Sequence, residues 1–197
     1  MFYARAEHQR RAHDHYSTPK DLAQALPIGL KQAGIELPAP IYDPCAGEGA
    51  LLDALRPLPG FGSDLFPNEY NRHRRILETP VDASDPETLA DAMGFARSIV
   101  TNPPYGREAL GVVRTGVELI RRGQAELAAF LLPLPWTAAQ GRLTLMRNVR
   151  LQITCCWRPE WVAGTGGGGK MNSAWLVWTR ESSAFPISVY LDRKDVA

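Results

Sequence analysis

IYDPCAGEGALLDAL, residues 41–55, passes from an apolar pair through an acidic residue and a loop with two glycines into an apolar helical pattern. Ile41 and Tyr42 read as a short buried strand, and a helix is predicted from about Ala50. In an open sheet of parallel strands, ligands bind where the strands end, so the loop from Asp43 to Gly49 is a candidate ligand site. Asp43 puts an acid at the strand end, and Gly47 and Gly49 let backbone come close to a ligand. The stretch holds only the first half of the dinucleotide pattern G-x-G-x-x-G, because Leu52 stands where the third glycine belongs. Alone, it reads equally well as a tight strand-to-helix turn with no ligand.

The flanking segments extend the same alternation. Before it, TPKDLAQALPIGLKQA (18–33) predicts a helix with Thr18 as cap, Pro19 in its first turn and Pro27 as a kink or end. After it, GFGSDL predicts a second strand ending at Asp64, and ASDPETLADAM predicts a helix capped by Asp85 and opened by Pro86. ARSIVTNPPYG gives a strand stopped by Pro103 and Pro104. REALGVVRTGVELIRRG has apolar residues at helical spacing, arginines in its last turn and Gly123 as its stop. AELAAFLLPL, a near-continuous apolar run, predicts a strand buried on both faces. TAAQGRLTLMRNV is predicted to be helical, and LQITCCW, SAWLVWTR and ISVYL are predicted strands. Strands alternating with helices, then closing strands, indicate a mostly parallel α/β sheet with helices on both faces.

Composition sets the bounds. A chain of 197 residues with 45% hydrophobic and 22% charged residues fits one well-filled domain. No apolar run reaches the roughly 18 residues that span a bilayer, and MFYARAEHQRR lacks the apolar stretch of a signal peptide, so the cytoplasm is expected. Three cysteines, two of them adjacent at Cys155 and Cys156, cannot frame a disulfide-stapled fold. His8, His13 and His15 have no cysteine pair at zinc spacing nearby, so no metal site is expected. A net charge of +1 restricts any nucleic-acid contact to local clusters: Arg5, Arg10 and Arg11, then Arg72, His73, Arg74 and Arg75, then Arg142, Arg147 and Arg150.

A second loop invites a chemical reading. In Thr101-Asn102-Pro103-Pro104-Tyr105, two prolines hold the chain extended and remove two backbone donors. The Asn102 side-chain oxygen and the Pro103 carbonyl can both accept from one amino group, while Tyr105 offers an aromatic face to a planar ring. Such a loop suits a planar amine. A rigid turn with a surface tyrosine is the alternative.

DPCAGEG followed by TNPPY resembles the S-adenosylmethionine-dependent amino-methyltransferases, and within them the DNA N6-adenine methyltransferases of the compact type found in phages and their hosts. The resemblance covers most of the chain. It implies a single-domain Rossmann-like methyltransferase fold, with a mostly parallel seven-stranded sheet, helices on both faces and an antiparallel strand near the C-terminus. Residues 1–15 would be a basic arm and residues 16–197 the catalytic domain, with no separate target-recognition domain. S-adenosyl-L-methionine is the implied cofactor. Its implied contacts are Tyr16, Ser17, Thr18 and Pro19 in YSTPKDL, then Asp43, Pro44, Cys45, Ala46, Gly47 and Gly49. Further along, Asp64 would take the ribose hydroxyls with Leu65 beside it, Asp82 the adenine amine, and Asn102 would border the cofactor as well. Asp85 is the rival to Asp82, although it already reads as a helix cap. Asn102, Pro103, Pro104 and Tyr105 are the implied catalytic residues, and an adenine flipped out of duplex DNA or presented on a single strand is the implied substrate. No strong general base is required, because a methylated amine is cationic and sheds its proton readily. In WRPEW, Trp161 would support the base opposite Tyr105, with Trp157 as its rival, and core packing is the alternative for either.

Other readings stay open at this point. N-P-P-Y also occurs in methyltransferases of RNA bases and of protein glutamines, though the glutamine enzymes carry an N-terminal helical domain not found in these 197 residues. A specificity subunit, a homodimer, or a non-catalytic subunit binding cofactor or DNA are further options. WVAGTGGGGKMN (161–172) has the glycine and lysine spacing of a phosphate-binding loop. Lys170 is followed by Met171 rather than Ser or Thr, and then by a predicted strand instead of a helix, so a triphosphatase is not expected. The run reads as a connection beside the base pocket, with Lys170 as a point charge for a nucleic-acid phosphate.

Overall fold

The computed structural model of the chain describes residues 17–66, 75–161, 171–181 and 185–196. The expectations for Tyr16, Lys170, the run 164–170, the basic arm, the three N-terminal histidines and residues 72–74 lie outside the described residues. Helices α1 (Lys20–Gln32), α2 (Ala50–Ala54), α3 (Pro86–Met93), α4 (Glu108–Arg121) and α5 (Leu143–Met146) accompany seven strands. These are β1 (Ile41–Asp43), β2 (Gly60–Gly62), β3 (Ser98–Thr101), β4 (Leu127–Pro133), β5 (Leu151–Cys155), β6 (Ser173–Thr179) and β7 (Ile187–Leu191).

They form one sheet in the order β2-β1-β3-β4-β6-β5-β7. β2, β1, β3 and β4 run parallel, and β6 runs antiparallel to both β4 and β5. β7 then pairs parallel with β5 at the far edge. The single-domain α/β sheet with one antiparallel strand near the C-terminus is therefore observed. Beyond β2, among the described residues, the sheet continues as a single bridge from Gly62 to Ile76.

β4 shows why both faces are covered. Its side chains alternate, so Leu127, Ala129 and Leu131 enter one core while Ala128, Phe130 and Leu132 enter the other. The first core carries α1 and α2 through Leu22, Leu26, Leu30, Leu51 and Leu52, packed with Ile153 and Trp175. The second carries α3 and α4 through Leu89, Met93, Val113 and Leu119, packed with Tyr42, Ile99 and Trp178. α4 comes close to the sheet because Gly116 has no side chain: a Cβ there would lie 2.6 Å from Phe130 Cζ.

The expectations for α1 and for the segment after β4 need correction. Thr18 does not cap α1; Pro19 holds the cap position, which has no side-chain cap hydrogen bond. Pro27 lies inside α1 without ending it, since the helix runs on to Gln32. The segment predicted as a helix from Thr137 to Val149 is two 3-10 turns, Leu134–Ala138 and Gln140–Arg142, followed by the four-residue α5. Gly141 weakens a helix there by about 1 kcal/mol, and Arg142 Nη1 donates to the Trp136 carbonyl at 2.7 Å. By contrast, α3 starts as expected: Asp85 accepts from the Thr88 N–H at 3.2 Å with Pro86 in the first turn.

Candidate functional site

β1, β2, β3, β4, β5 and β7 all present their C-terminal ends on one edge of the sheet, and the unusual loops collect there. The loop after β1 is a closed turn. Gly47 and Gly49 sit at φ 49° and 82°, the left-handed region in which a side chain is strained. Gly49 N–H donates to the Ala46 carbonyl at 2.7 Å, and Gly49 in turn precedes α2. Its neighbour strand must lie close: a Cβ on Gly62 would stand 2.5 Å from the Asp43 carbonyl oxygen and 2.8 Å from Ala46 Cβ. Gly62 thus lets the cradle fold back on the sheet.

Two carboxylates organise this loop. Asp43, only 1% exposed, accepts at Oδ1 from the Thr101 hydroxyl at 2.6 Å and from the Cys45 N–H at 3.1 Å. Burial pushes its carboxyl up to about 7, an effect that these two donors partly oppose and the nearby Asp64 charge reinforces. Asp64 lies two residues past the end of β2 and accepts from the Gly47 N–H at 2.9 Å and the Phe66 N–H at 3.0 Å. Leu65 beside it is 48% exposed. Burial pushes the Cys45 thiol up, with the Asp43 charge adding to it, so the thiol is protonated at neutral pH. Asp82 is exposed and accepts at Oδ1 from the Ser84 N–H at 2.9 Å and the Ser84 hydroxyl at 2.6 Å.

The loop after β3 differs. Asn102 Nδ2 donates to Thr18 Oγ1 at 3.2 Å, and Asn102 Oδ1 is buried with no hydrogen-bond partner. Tyr105 Oη is likewise buried without an aligned partner. Burial pushes the phenol up, and the neighbouring Ser173 hydroxyl offsets little of that. Pro103 is buried and Gly106, at φ 109°, turns the chain toward α4. Trp161 stands at this loop, its ring centroid 5.8 Å from that of Tyr105 and the planes at 87°. Trp157 does not: its indole N–H donates to Asp21 Oδ2 at 2.8 Å, and its ring belongs to the core beneath α1.

The segment before α1 joins both loops. The Ser17 hydroxyl donates to Glu48 Oε2 at 3.1 Å, while Thr18 takes the Asn102 amide, so residues 17, 18, 48 and 102 converge. Pro44 and Ala46 are buried under this junction, with Pro19 half-buried at its rim. Thr101 was given no role in the sequence, although its buried hydroxyl fixes Asp43 in this site, and Ser173 is a second buried hydroxyl beside Tyr105. A hydroxyl at a buried strand end is itself a signal, because it needs a partner. Its partner, however, lies on another strand.

No protein-family model matches the chain, and no curated protein sequence matches it. Solved structures do. A type I restriction-modification system methyltransferase subunit from Streptococcus thermophilus superposes with a TM-score of 0.61 at 13% identity, over 90% of this chain and 47% of that one. The chain thus spans about half the length of that subunit. The 23S rRNA methyltransferase ErmE gives a TM-score of 0.51 at 14% identity, over 87% of this chain and 72% of that one. A chain of the E. cuniculi complex responsible for methylation of the eRF1 translation termination factor gives 0.50 at 14% identity, over 84% and 98%. The likeness is one of fold, and it is a fold that methyltransferases of different substrates share. Among the described residues, no helix is long and apolar enough to cross a membrane.

Proposed function

We propose that this chain is an S-adenosylmethionine-dependent methyltransferase acting on the N6 amine of adenine in DNA. The observation that carries the proposal is Asn102 Oδ1, a buried acceptor with no donor, in an N-P-P-Y loop at the carboxyl end of β3. Leaving such an atom unpaired costs about 1–3 kcal/mol, which a ligand N–H would recover. With the Pro103 carbonyl as second acceptor, the loop holds both hydrogens of a planar amine and turns its lone pair outward. Tyr105 supplies a flat apolar face beside it. Because the Tyr105 and Trp161 rings are perpendicular, they do not sandwich a base as they stand. A base on Tyr105 either displaces Trp161 or uses the opposite face of the ring.

The residues present also fit the cofactor. S-adenosylmethionine, when bound, supplies an electrophilic methyl group on a cationic sulfonium. The acidic edge formed by Asp43, Glu48 and Asp64 favours a cation, and Gly47 and Gly49, at left-handed φ, leave the backbone of the turn free of side chains where a ligand would approach. Asp64 is the ribose ligand in this reading, Leu65 covers a ring face with its exposed side chain, and Asp82 takes the adenine amine with an oxygen. Ser17, Pro19, Pro44, Cys45 and Ala46 line the same cradle, while the Thr18 hydroxyl turns to Asn102. The Cys45 thiol, held protonated, takes no part as a nucleophile.

An RNA base is the second reading, supported by the shared fold with an rRNA methyltransferase. Incubating the chain with labelled methyl donor and duplex DNA, single-stranded DNA or ribosomal RNA, followed by nucleoside mass spectrometry, separates the two. N6-methyladenine in DNA is the expected product. Methylation confined to RNA transfers the reading to the second class, and cofactor binding without transfer to any of the three overturns both. A separate specificity subunit or a second copy is the proposed source of target choice, in line with the fold shared with a restriction-modification methyltransferase subunit.

A further inference from the structure

We infer that Thr18 sets the orientation of the Asn102 amide, and is thereby a positioning residue for the transfer proposed above, on which this inference rests. The two ends of a carboxamide are nearly the same size, so packing alone does not choose between them; hydrogen bonds do. Only the oxygen end can accept a hydrogen from an amine. Turned round, the amide would set its own N–H groups against those of the substrate. In the structure Asn102 Nδ2 donates to Thr18 Oγ1 at 3.2 Å, and that contact is what leaves Oδ1 as the free acceptor.

The Thr18 hydroxyl has been diverted from its local use. A threonine just ahead of a helix ordinarily caps it, a contact worth about 1 kcal/mol. Here α1 has no side-chain cap, and the hydroxyl serves a residue 84 positions away. Its support is firm. Ser17 is tied to Glu48 at 3.1 Å. In the first turn of α1, Asp21 Oδ1 accepts from the Leu22 N–H at 2.8 Å, while Oδ2 accepts from Trp157 Nε1 at 2.8 Å and pairs with Arg193 at 3.3 Å. The Leu22 carbonyl accepts from Trp175 Nε1 at 2.7 Å. The start of α1 is thus anchored to β6, to the chain after β5 and to the C-terminal turn, which keeps Thr18 in place.

The test uses the full chain with Thr18→Val, which keeps the shape but not the hydroxyl, and Thr18→Ser, which keeps the hydroxyl. Thr18→Val is expected to lower kcat about tenfold, the loss of roughly one well-placed hydrogen bond, with cofactor affinity by calorimetry within about twofold. Thr18→Ser should restore most of the loss. Unchanged kcat in Thr18→Val overturns the inference. So does a parallel loss of cofactor affinity, or a Thr18→Ser variant as slow as the valine. A second readout does not depend on turnover: the Asn102 side-chain N–H resonances, assigned with Asn102→Ala, should shift in Thr18→Val and hold in Thr18→Ser. Resonances unmoved by valine sink the inference alone, whereas a wild-type chain that methylates no amine sinks the functional reading and leaves the resonance test standing.

Discussion

In the loop after β1, the acidic groups already have donors: Asp43 takes the Thr101 hydroxyl and the Cys45 N–H, and Asp64 takes the Gly47 and Phe66 N–H groups. In the loop after β3, one strand away, Asn102 Oδ1 and Tyr105 Oη are buried with none. The first loop is complete without a ligand, and binding there adds contacts to a formed cradle. The second carries an unmet hydrogen bond, and a ligand bearing N–H groups completes it. On the proposed reading, affinity and chemistry fall to different strands of one sheet edge, and substitutions should separate them.

The largest effect is expected from Asn102→Ala. Removing this buried free acceptor should lower kcat about a hundredfold or more, a loss comparable with deleting a preorganised transition-state contact elsewhere. Cofactor affinity, measured by calorimetry, should change by less than about threefold, because the cradle after β1 does not depend on Oδ1. Wild-type turnover in this variant would break the comparison at its centre.

Gly62→Ala tests the other loop through stability. Its Cβ would lie 2.5 Å from the Asp43 carbonyl oxygen, which is backbone and cannot step aside, so β2 and the cradle must separate. Overpacking of this kind costs about 1–3 kcal/mol. Urea unfolding should show a lower midpoint together with weaker cofactor binding; an unchanged midpoint means that the two strands are not in contact as described.

Asp64→Ala should be milder. It removes the anchor of the Gly47 N–H and the proposed ribose ligand, weakening cofactor binding about tenfold, the loss of about 1.4 kcal/mol. At saturating cofactor, kcat should stay within about threefold of wild type. Equal losses in kcat and affinity would show that the two loops act as one unit.

The same contrast explains what could be read in the sequence. DPCAGEG and TNPPY were legible because glycines at left-handed positions and paired prolines impose their geometry locally. Asp85 with Pro86 was legible for the same reason, and so was β4, whose unbroken apolar run has few other uses. Thr18 was misread as a cap, since local preference assigns its hydroxyl to the helix whereas the fold delivers Asn102 to it. Thr101 was given no role because its partner, Asp43, comes from another strand. Trp161 and Trp157, four residues apart, could not be told apart by type; in the structure Trp161 packs against Tyr105 whereas the Trp157 indole N–H bonds Asp21. The part of the site that sequence hides is the set of long-range hydrogen bonds.

The smallest effect, and the one that joins the two halves of the comparison, is the dependence on pH. The Asp43 carboxyl is pushed up to about 7 by burial, against about 3.9 for a free aspartate. The folded chain therefore keeps a proton that the unfolded chain gives up between those values. The stability this contributes is complete below about pH 4 and is lost as pH rises through about 7. A cationic ligand reverses the preference, since it favours the ionised carboxylate and expels that proton on binding. Cofactor affinity should then rise a few-fold from about pH 6 to 8, with a proton released near pH 6.5 that calorimetry in two buffers of different ionisation heat would detect. Asn102 does not titrate, so kcat at saturating cofactor should stay level across the same interval. Affinity that is flat or falling over this range would mean that no cation comes to Asp43, and would remove the electrostatic part of the case for the cradle while leaving the acceptor loop untouched.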